Sequence, residues 1–124
     1  MVEQNSKSFL WVTSHPRAVK ITGMLLEKGG HTVDIVSNKT EAIEKIQSGA
    51  FDRVICALYL GDRDATEEIL RAAIDQCVER IFLATSVADL IPSLVSDHTR
   101  ARISKQIDVS TVMPIGQVEI LTEA

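Results

Sequence analysis

The chain has 124 residues, of which 45% are hydrophobic and 24% are charged, and its formal net charge is −4. This length suits one domain with its own core, and the composition argues against disorder. The basic residues are scattered along an acidic chain, which argues against a nucleic-acid-binding surface. The apolar runs are far shorter than the ~20 residues that span a bilayer, and no basic-then-apolar leader opens the chain. We therefore expect one cytoplasmic domain without a membrane segment.

Strand-like and helix-like patterns alternate along the chain. The predicted strands, which are short apolar or alternating runs, are Phe9–Val12, His31–Val36, Val54–Leu58, Ile81–Ala84 and Ile107–Val112. Helices are predicted between them from apolar spacing, with their main apolar members at Val19, Gly23, Met24, Leu26, then Ala42, Ile43, Ile46, then Ile69, Leu70, Ala73, Ile74, Cys77, and then Leu90, Ile91, Leu94, Val95. Such alternation predicts a parallel sheet with helices on both faces.

Residues that typically start or end helices support the predicted helix boundaries. Thr13-Ser14-His15-Pro16 is a helix-start signal, and Gly29-Gly30 ends the helix that follows. Asn38 with Glu41 resembles an N-terminal capping arrangement for the second helix. Cys56 and Cys77 both lie in apolar surroundings, so we expect two reduced core thiols. The number and order of elements match a flavodoxin-like doubly wound five-stranded sheet with strand order 2-1-3-4-5.

Several short landmarks make the chain resemble a response-regulator receiver domain over roughly residues 8–120. The strand at Phe9–Val12 is followed by Pro16, and Phe51-Asp52 resembles the start of the family's third strand. Thr85-Ser86 stands where the fourth strand ends in a hydroxyl and a small residue. Met113-Pro114-Ile115 resembles the Lys-Pro-aromatic signature that follows the fifth strand. The order and spacing of these pieces carry the resemblance, since each is short.

The resemblance also implies which chemistry is missing. A receiver uses a carboxylate on its third strand as the nucleophile for a phosphoryl group, with Mg²⁺ and a lysine balancing the charge. The acidic pair that holds the metal falls on Thr13 and Ser14, and the phosphoacceptor, five residues after Asp52, falls on Ala57. The lysine falls on Met113. Only the switch hydroxyl is kept, as Thr85, so we expect a degenerate receiver without metal or cofactor.

Other groups offer weaker alternatives. Asp62 and Asp64 follow the third strand near the mouth of the cleft and are conceivable substitutes for the lost carboxylate. His15, His31 and His98 have no partner at metal-ligand spacing, and no catalytic triad order or phosphate loop is present. The sequence therefore predicts a protein that is not an enzyme.

The functional expectation is a phosphorylation-independent signalling module that binds a protein partner or dimerises. The resemblance places the partner surface on the fourth helix, fifth strand and fifth helix, at about residues 87–120, including Leu90, Leu94 and Ile103, although each of these suits core packing as well. The alternative is a sensor of a small molecule or nucleotide in the vacated cleft, for which basic contacts are available at Arg17, Arg63 and Arg102. Because the last helix is short, we also expect residues 1–124 to be the N-terminal domain of a longer protein, with an output domain after Ala124.

Overall fold

A computed structural model of the chain describes residues 6–57, 64–85, 91–109 and 111–123. Its five strands are β1 (Ser8–Val12), β2 (Thr32–Val36), β3 (Arg53–Ala57), β4 (Arg80–Thr85) and β5 (Lys105–Asp108). All neighbouring strands are parallel, and their order in the sheet is β2-β1-β3-β4-β5. The predicted flavodoxin-like fold class and strand order are confirmed.

Helices cover both faces of this sheet. A 3₁₀ turn at Pro16–Val19 leads into α1 (Lys20–Lys28), and the later helices are α2 (Lys39–Gln47), α3 (Ala65–Asp75), α4 (Ile91–Leu94), α5 (Asp97–Arg100) and α6 (Pro114–Leu121). Leu26 of α1 and Leu121 of α6 belong to one buried cluster with the aromatic side chains of Phe9, Trp11 and Phe82. The other cluster joins α2, α3 and α4 to the opposite face of the strands. Within the described ranges, no helix has the length and apolar character needed to cross a bilayer.

The strand sequences explain this two-sided burial. The four residues from Phe9 to Val12 are all buried, and Val54, Ile55 and Cys56 of the central strand β3 are fully buried. A parallel strand with helices on both faces is expected to read as a continuous apolar run. At the sheet edge, β2 is only partly buried, with Val33 and Ile35 packed beneath α1 and α6. This partial burial agrees with the alternating sequence of the strand predicted at His31–Val36.

Local capping follows the sequence at α2 but needs a distant residue at α6. The Asn38 side chain accepts a hydrogen bond of 2.7 Å from the Glu41 N–H, as the capping arrangement predicts. At the C-terminal end of α6, the buried Arg53 guanidinium donates from Nη1 to the carbonyl oxygens of Leu121 (2.6 Å) and Glu123 (2.8 Å). The last carbonyls of a helix have no intrahelical partner, so Arg53 fixes the end of α6 against the sheet.

Several predicted boundaries were wrong. The fifth strand ends at Asp108, not Val112. Asp108 is the register partner of Thr85, the last residue of β4, and the Val109 N–H donates to the Thr85 carbonyl oxygen. The third helix ends at Asp75, so Cys77 lies outside it, exposed, with φ of +56°. The hydrogen bond from the Val78 N–H to the Ala73 carbonyl closes a left-handed helix end there. Cys77 is therefore not a core thiol.

Two further differences concern helices. Met24 is 56% exposed, because α1 turns Thr22, Gly23 and Leu26 inward instead. The predicted short fourth helix corresponds to α4, but a further short helix, α5, follows it, so the helix predicted as the fifth is α6. This helix begins at Pro114, since proline suits the first helical turn.

Candidate functional site

The sequence-predicted site residues concentrate at the carboxyl edge of the sheet. Thr13 directly follows β1, Ala57 ends β3 and Thr85 ends β4, and these three strands are neighbours. The register pairs Val12 with Cys56 and Ala57 with Ala84, which places the three residues side by side along the edge. In open α/β sheets this edge is where ligands bind.

The Thr13 hydroxyl already has a local role. Thr13 is 5% exposed, and its Oγ1 accepts a hydrogen bond of 3.0 Å from the His15 N–H. Its own N–H donates to the Val36 carbonyl of the adjacent strand β2 at 3.0 Å. This is a side-chain-to-backbone turn of the kind that serine and threonine form at helix entrances. Ser14 is exposed. Neither residue brings a negative charge to the edge.

Ala57 and Thr85 define the centre of the edge. Ala57 is half-buried at the end of β3, and its methyl group has no donor, acceptor or charge. Thr85, one strand further along, is 6% exposed. The only predicted polar group retained from the receiver pattern is therefore a buried hydroxyl, which stands next to an apolar position.

Met113 comes farther along the chain from the end of the fifth strand than the sequence indicated. Because β5 ends at Asp108, Met113 comes five residues after the strand, at the N-cap position of α6. Its side chain is 73% exposed. The prediction that Met113 directly follows the fifth strand was wrong, and it followed from the misplaced strand end.

Asp108 occupies the strand end instead, and the sequence reasoning missed it. It is exposed at the last position of β5 and is the register partner of Thr85. The signal was present, since Asp108 is the only charged residue in the predicted strand Ile107–Val112. The described part of this edge therefore carries an anionic group where the resemblance leads one to expect a lysine after the fifth strand.

The proposed substitute carboxylates differ in how far the structure describes them. Asp64 is exposed and precedes α3, and its side chain makes no capping hydrogen bond to that helix. Asp62 lies outside the described residues, as does Leu90 of the predicted interaction face. Over the described ranges, no group of three or more His, Cys, Asp or Glu side chains is arranged to hold a metal ion.

The two described residues of the predicted interaction face pack inward. Leu94 and Ile103 are half-buried against the core cluster beneath α2, α3 and α4. The exposed apolar side chains near this face are instead Val109, Met113 and Ile115, at 39%, 73% and 69% exposure. They lie within seven residues between the end of β5 and the first turn of α6. We call this segment the β5–α6 apolar patch.

Several solved structures with the same fold are response-regulator receiver domains. A CheY-like receiver domain protein from Methanospirillum hungatei JF-1 is similar at a TM-score of 0.77 and 23% identity, over 93% of this chain and 90% of that chain. The N-terminal domain of a response regulator/sensory box/GGDEF three-domain protein from Carboxydothermus hydrogenoformans gives 0.72 and 22%, over 94% and 90%. The response regulator TrrA from Thermotoga maritima, solved in complex with Mg²⁺-BeF, gives 0.65 and 22%, over 82% and 84%.

At these identities the likeness concerns the fold. No protein-family model matches the sequence, and no curated protein matches it. The chain therefore shares the flavodoxin-like architecture of receiver domains.

Proposed function

We propose that this domain is a receiver-like signalling module that acts without aspartyl phosphorylation. The observation that carries the proposal is Ala57 at the carboxyl end of the central strand, where a receiver needs its nucleophile. An alanine methyl group has no lone pair with which to attack a phosphoryl group. The fold of the solved receiver domains supports a role in two-component signalling, and the residues at the edge support the loss of its phosphorylation step.

The charges at the same edge support the proposal independently. Mg²⁺ prefers carboxylate oxygens and is usually held by one or two of them together with phosphate. Thr13 and Ser14 supply only hydroxyls, and the Thr13 hydroxyl accepts the His15 N–H. Asp108 is a further acidic residue at the end of β5, and a carboxylate does not supply the positive charge with which a lysine would balance a phosphoryl group. Nucleophile, metal ligands and charge balance all differ from what the reaction requires.

The interaction surface that we propose is the β5–α6 apolar patch. Isolated exposed apolar side chains are common, but three within seven residues concentrate apolar surface at one place. The patch lies on the fifth-strand and last-helix side of the molecule, which the resemblance assigns to partner binding. The neighbour from Carboxydothermus hydrogenoformans is the N-terminal domain of a three-domain protein, which supports the further expectation of an output domain after Ala124.

The alternative, a small-molecule sensor in the vacated cleft, stays a prediction. Residues 58–63 and 86–90, which follow β3 and β4 at the carboxyl edge, lie outside the described ranges. A cytoplasmic location also stays a prediction from the sequence.

Titration with Mg²⁺ and beryllofluoride, followed by amide NMR spectra, tests the proposal. Beryllofluoride completes the coordination of a receiver aspartate and metal, so a functional site responds with shifts around the switch hydroxyl. The Thermotoga maritima regulator, whose structure holds Mg²⁺-BeF, is the positive control. We expect this chain to show no saturable shift at Thr85 under conditions in which the control responds. A saturable shift centred on Thr85 would contradict the proposal, and its loss in Asp64→Asn would identify the substitute carboxylate.

The patch has its own test. Met113→Lys combined with Ile115→Lys places two charges on the patch, whereas Ile21→Lys changes an apolar side chain that is 62% exposed on α1. If the patch mediates dimerisation, sedimentation equilibrium shows weaker self-association for the double variant and an unchanged value for Ile21→Lys. Equal weakening in both would refute the assignment of this surface.

A further inference from the structure

Helix α6, which begins within the β5–α6 apolar patch, has a sequence that favours helix only weakly. Its eight residues include Gly116 and three β-branched side chains, at Ile115, Val118 and Ile120. Glycine and β-branched residues are poor helix formers, and helices this short are marginal in water without tertiary contacts. Met113 at the N-cap position makes no side-chain capping hydrogen bond either. The start of α6 therefore depends on contacts from elsewhere in the molecule.

Gln117 supplies hydrogen bonds that hold the start of α6. It is buried, and its side-chain Nε2 donates a hydrogen bond of 2.9 Å to the carbonyl oxygen of Val112, which lies just before the helix. Its backbone N–H donates at 2.8 Å to the carbonyl oxygen of Met113. Two consecutive carbonyl groups that lead into α6 are thus held by one residue.

The other end of the Gln117 amide is tied to α1. Its Oε1 accepts a hydrogen bond of 2.7 Å from the hydroxyl of Thr22, which is 2% exposed. A threonine inside a helix can turn its hydroxyl back to a carbonyl of the preceding turn, whereas this hydroxyl reaches across to α6. Burying a polar group costs free energy unless it is hydrogen-bonded, and these two groups satisfy each other. A chain of hydrogen bonds therefore runs from Thr22 through Gln117 to Val112.

Packing at Val112 supports the same arrangement. A Cβ atom added at Gly116 would lie 3.1 Å from Cγ1 of Val112, closer than the ~3.5–4.0 Å of a favourable carbon–carbon contact. The absence of a side chain at Gly116 thus lets Val112 lie directly against the first turn of α6. Val112 also packs on the buried cluster that contains Leu26 of α1 and Leu121 of α6. The backbone and the side chain of Val112 are therefore both fixed next to the patch.

We propose that Gln117 is the positioning residue of the β5–α6 apolar patch, which it fixes relative to α1 through the hydrogen bonds to Thr22 and Val112. The best-attested role of buried polar residues is to fix the register of one helix against another, whereas apolar side chains of similar size would serve packing alone. Met113 directly follows Val112, so the orientation of the Val112 peptide group determines how the patch is presented. The consequence for partner binding rests on the function proposed for the patch.

Amide NMR spectra of Thr22 variants test the proposal. Thr22→Val keeps the shape of the side chain and removes the hydroxyl, whereas Thr22→Ser keeps the hydroxyl. The Met113 amide is the reporter, because its nitrogen belongs to the same peptide group as the Val112 carbonyl. We expect the Met113 signal to move in Thr22→Val toward its position in Gln117→Leu, and to stay near the parent position in Thr22→Ser. Thr40→Val, the same change at an exposed position of α2, should leave the Met113 signal unchanged.

A binding measurement extends the test to the patch itself. A protein that leaves its binding-competent conformation loses apparent affinity in proportion to the fraction lost. Losing one hydrogen bond that holds this conformation should therefore weaken self-association through the patch roughly 2- to 10-fold. Sedimentation equilibrium measures this change in Thr22→Val, and Thr22→Ser should restore the parent value. If the parent does not associate through the patch, the function proposed above fails, while the Met113 signal still decides the positioning role.

The positioning role is overturned if the Met113 signal of folded Thr22→Val coincides with that of the parent, or if it moves as far in Thr40→Val. It is also overturned if Thr22→Ser shifts Met113 as much as Thr22→Val does, since the effect would then come from the packing of α1 and not from the hydroxyl. Thr22→Ala, which also lacks the hydroxyl, replaces Thr22→Val if the latter gives no folded spectrum. Gln117→Leu only marks the expected direction of the shift, so the comparison of the Thr22 variants stands without it.

Discussion

Replacing Arg53 by methionine should destabilise the domain strongly, although the substitution keeps much of the side-chain volume. The guanidinium is 3% exposed and donates to the carbonyl oxygens of Leu121 and Glu123. Leu121 is itself fully buried, so its carbonyl cannot readily exchange the lost partner for water. Methionine fills the space but donates no hydrogen bond, which leaves a buried helix end without its cap.

The magnitude follows from those two contacts. A hydrogen bond to a charged group contributes about 1.5–3 kcal/mol, and the Glu79 contact adds little because that carboxylate is 47% exposed and stays hydrated. Since the Glu123 carbonyl lies near the chain surface, we expect Arg53→Met to lower the free energy of unfolding by about 3 kcal/mol. That is a large fraction of the ~5–15 kcal/mol typical of a domain.

Urea unfolding followed by circular dichroism measures this loss. With a slope of about 1–3 kcal/mol per molar urea, a loss of about 3 kcal/mol should lower the midpoint by roughly 1–3 M. Arg71→Met is the control, because Arg71 is 69% exposed and lies 3.9 Å from Glu67, and it should change stability by less than about 0.5 kcal/mol. If Arg53→Met costs less than about 1 kcal/mol, the reasoning that Arg53 caps α6 is refuted, because volume alone would then explain its burial.

Three further predictions follow from local structure. Native protein should react with a thiol reagent at Cys77 only, because Cys56 is fully buried and burial raises its pKa to about 12; modification of both cysteines without denaturant would contradict this. Asn38→Ala should cost about 1 kcal/mol in urea unfolding, since it removes the side-chain acceptor at the start of α2, whereas Asn38→Ser should cost much less. Hydrogen bonds from Arg53 and Lys7 lower the pKa of Glu79 below its ordinary value of 4.5. The stability that the Glu79 carboxylate contributes is therefore present above pH 4.5 and is lost as the pH falls through the lowered pKa. Glu79→Gln should flatten this acid dependence, and an unchanged slope would refute the assignment.

The sheet was predictable because each central strand is a continuous apolar run that can be recognised from its own residues. Phe9–Val12 and the apolar part of β3 are buried on both faces, so their side chains are uniformly apolar and the alternation with helices sets the topology. The same reasoning misplaced the end of β5, because Val109 and Val112 have the side chains of a strand. The strand ends at Asp108, the register partner of the last β4 residue, Thr85, so its length depends on β4, which the residues of β5 do not encode.

In the candidate site too, the residues fixed by the local sequence were predicted, and those that depend on distant parts of the chain were not. Thr13, Ala57 and Thr85 each follow or end a well-marked strand, so counting along the chain placed them at one edge. Met113 was misplaced, and Asp108 missed, because both depend on the end of β5. Arg53 was missed because an arginine at the start of a strand usually faces solvent. Its burial requires the end of α6, 68 residues further along the chain, a contact that only the folded chain creates.

Intact-mass measurement after incubation with Mg²⁺ and a small phosphodonor tests the central claim most directly. The claim is that the domain keeps the receiver architecture and lacks its phosphorylation chemistry, with Ala57 at the position of the nucleophile. We predict that the mass of the chain stays unchanged while a functional receiver in a parallel reaction gains one phosphoryl group. A stoichiometric phosphoryl adduct on this chain, labile to hydroxylamine as an acyl phosphate is, would contradict the account.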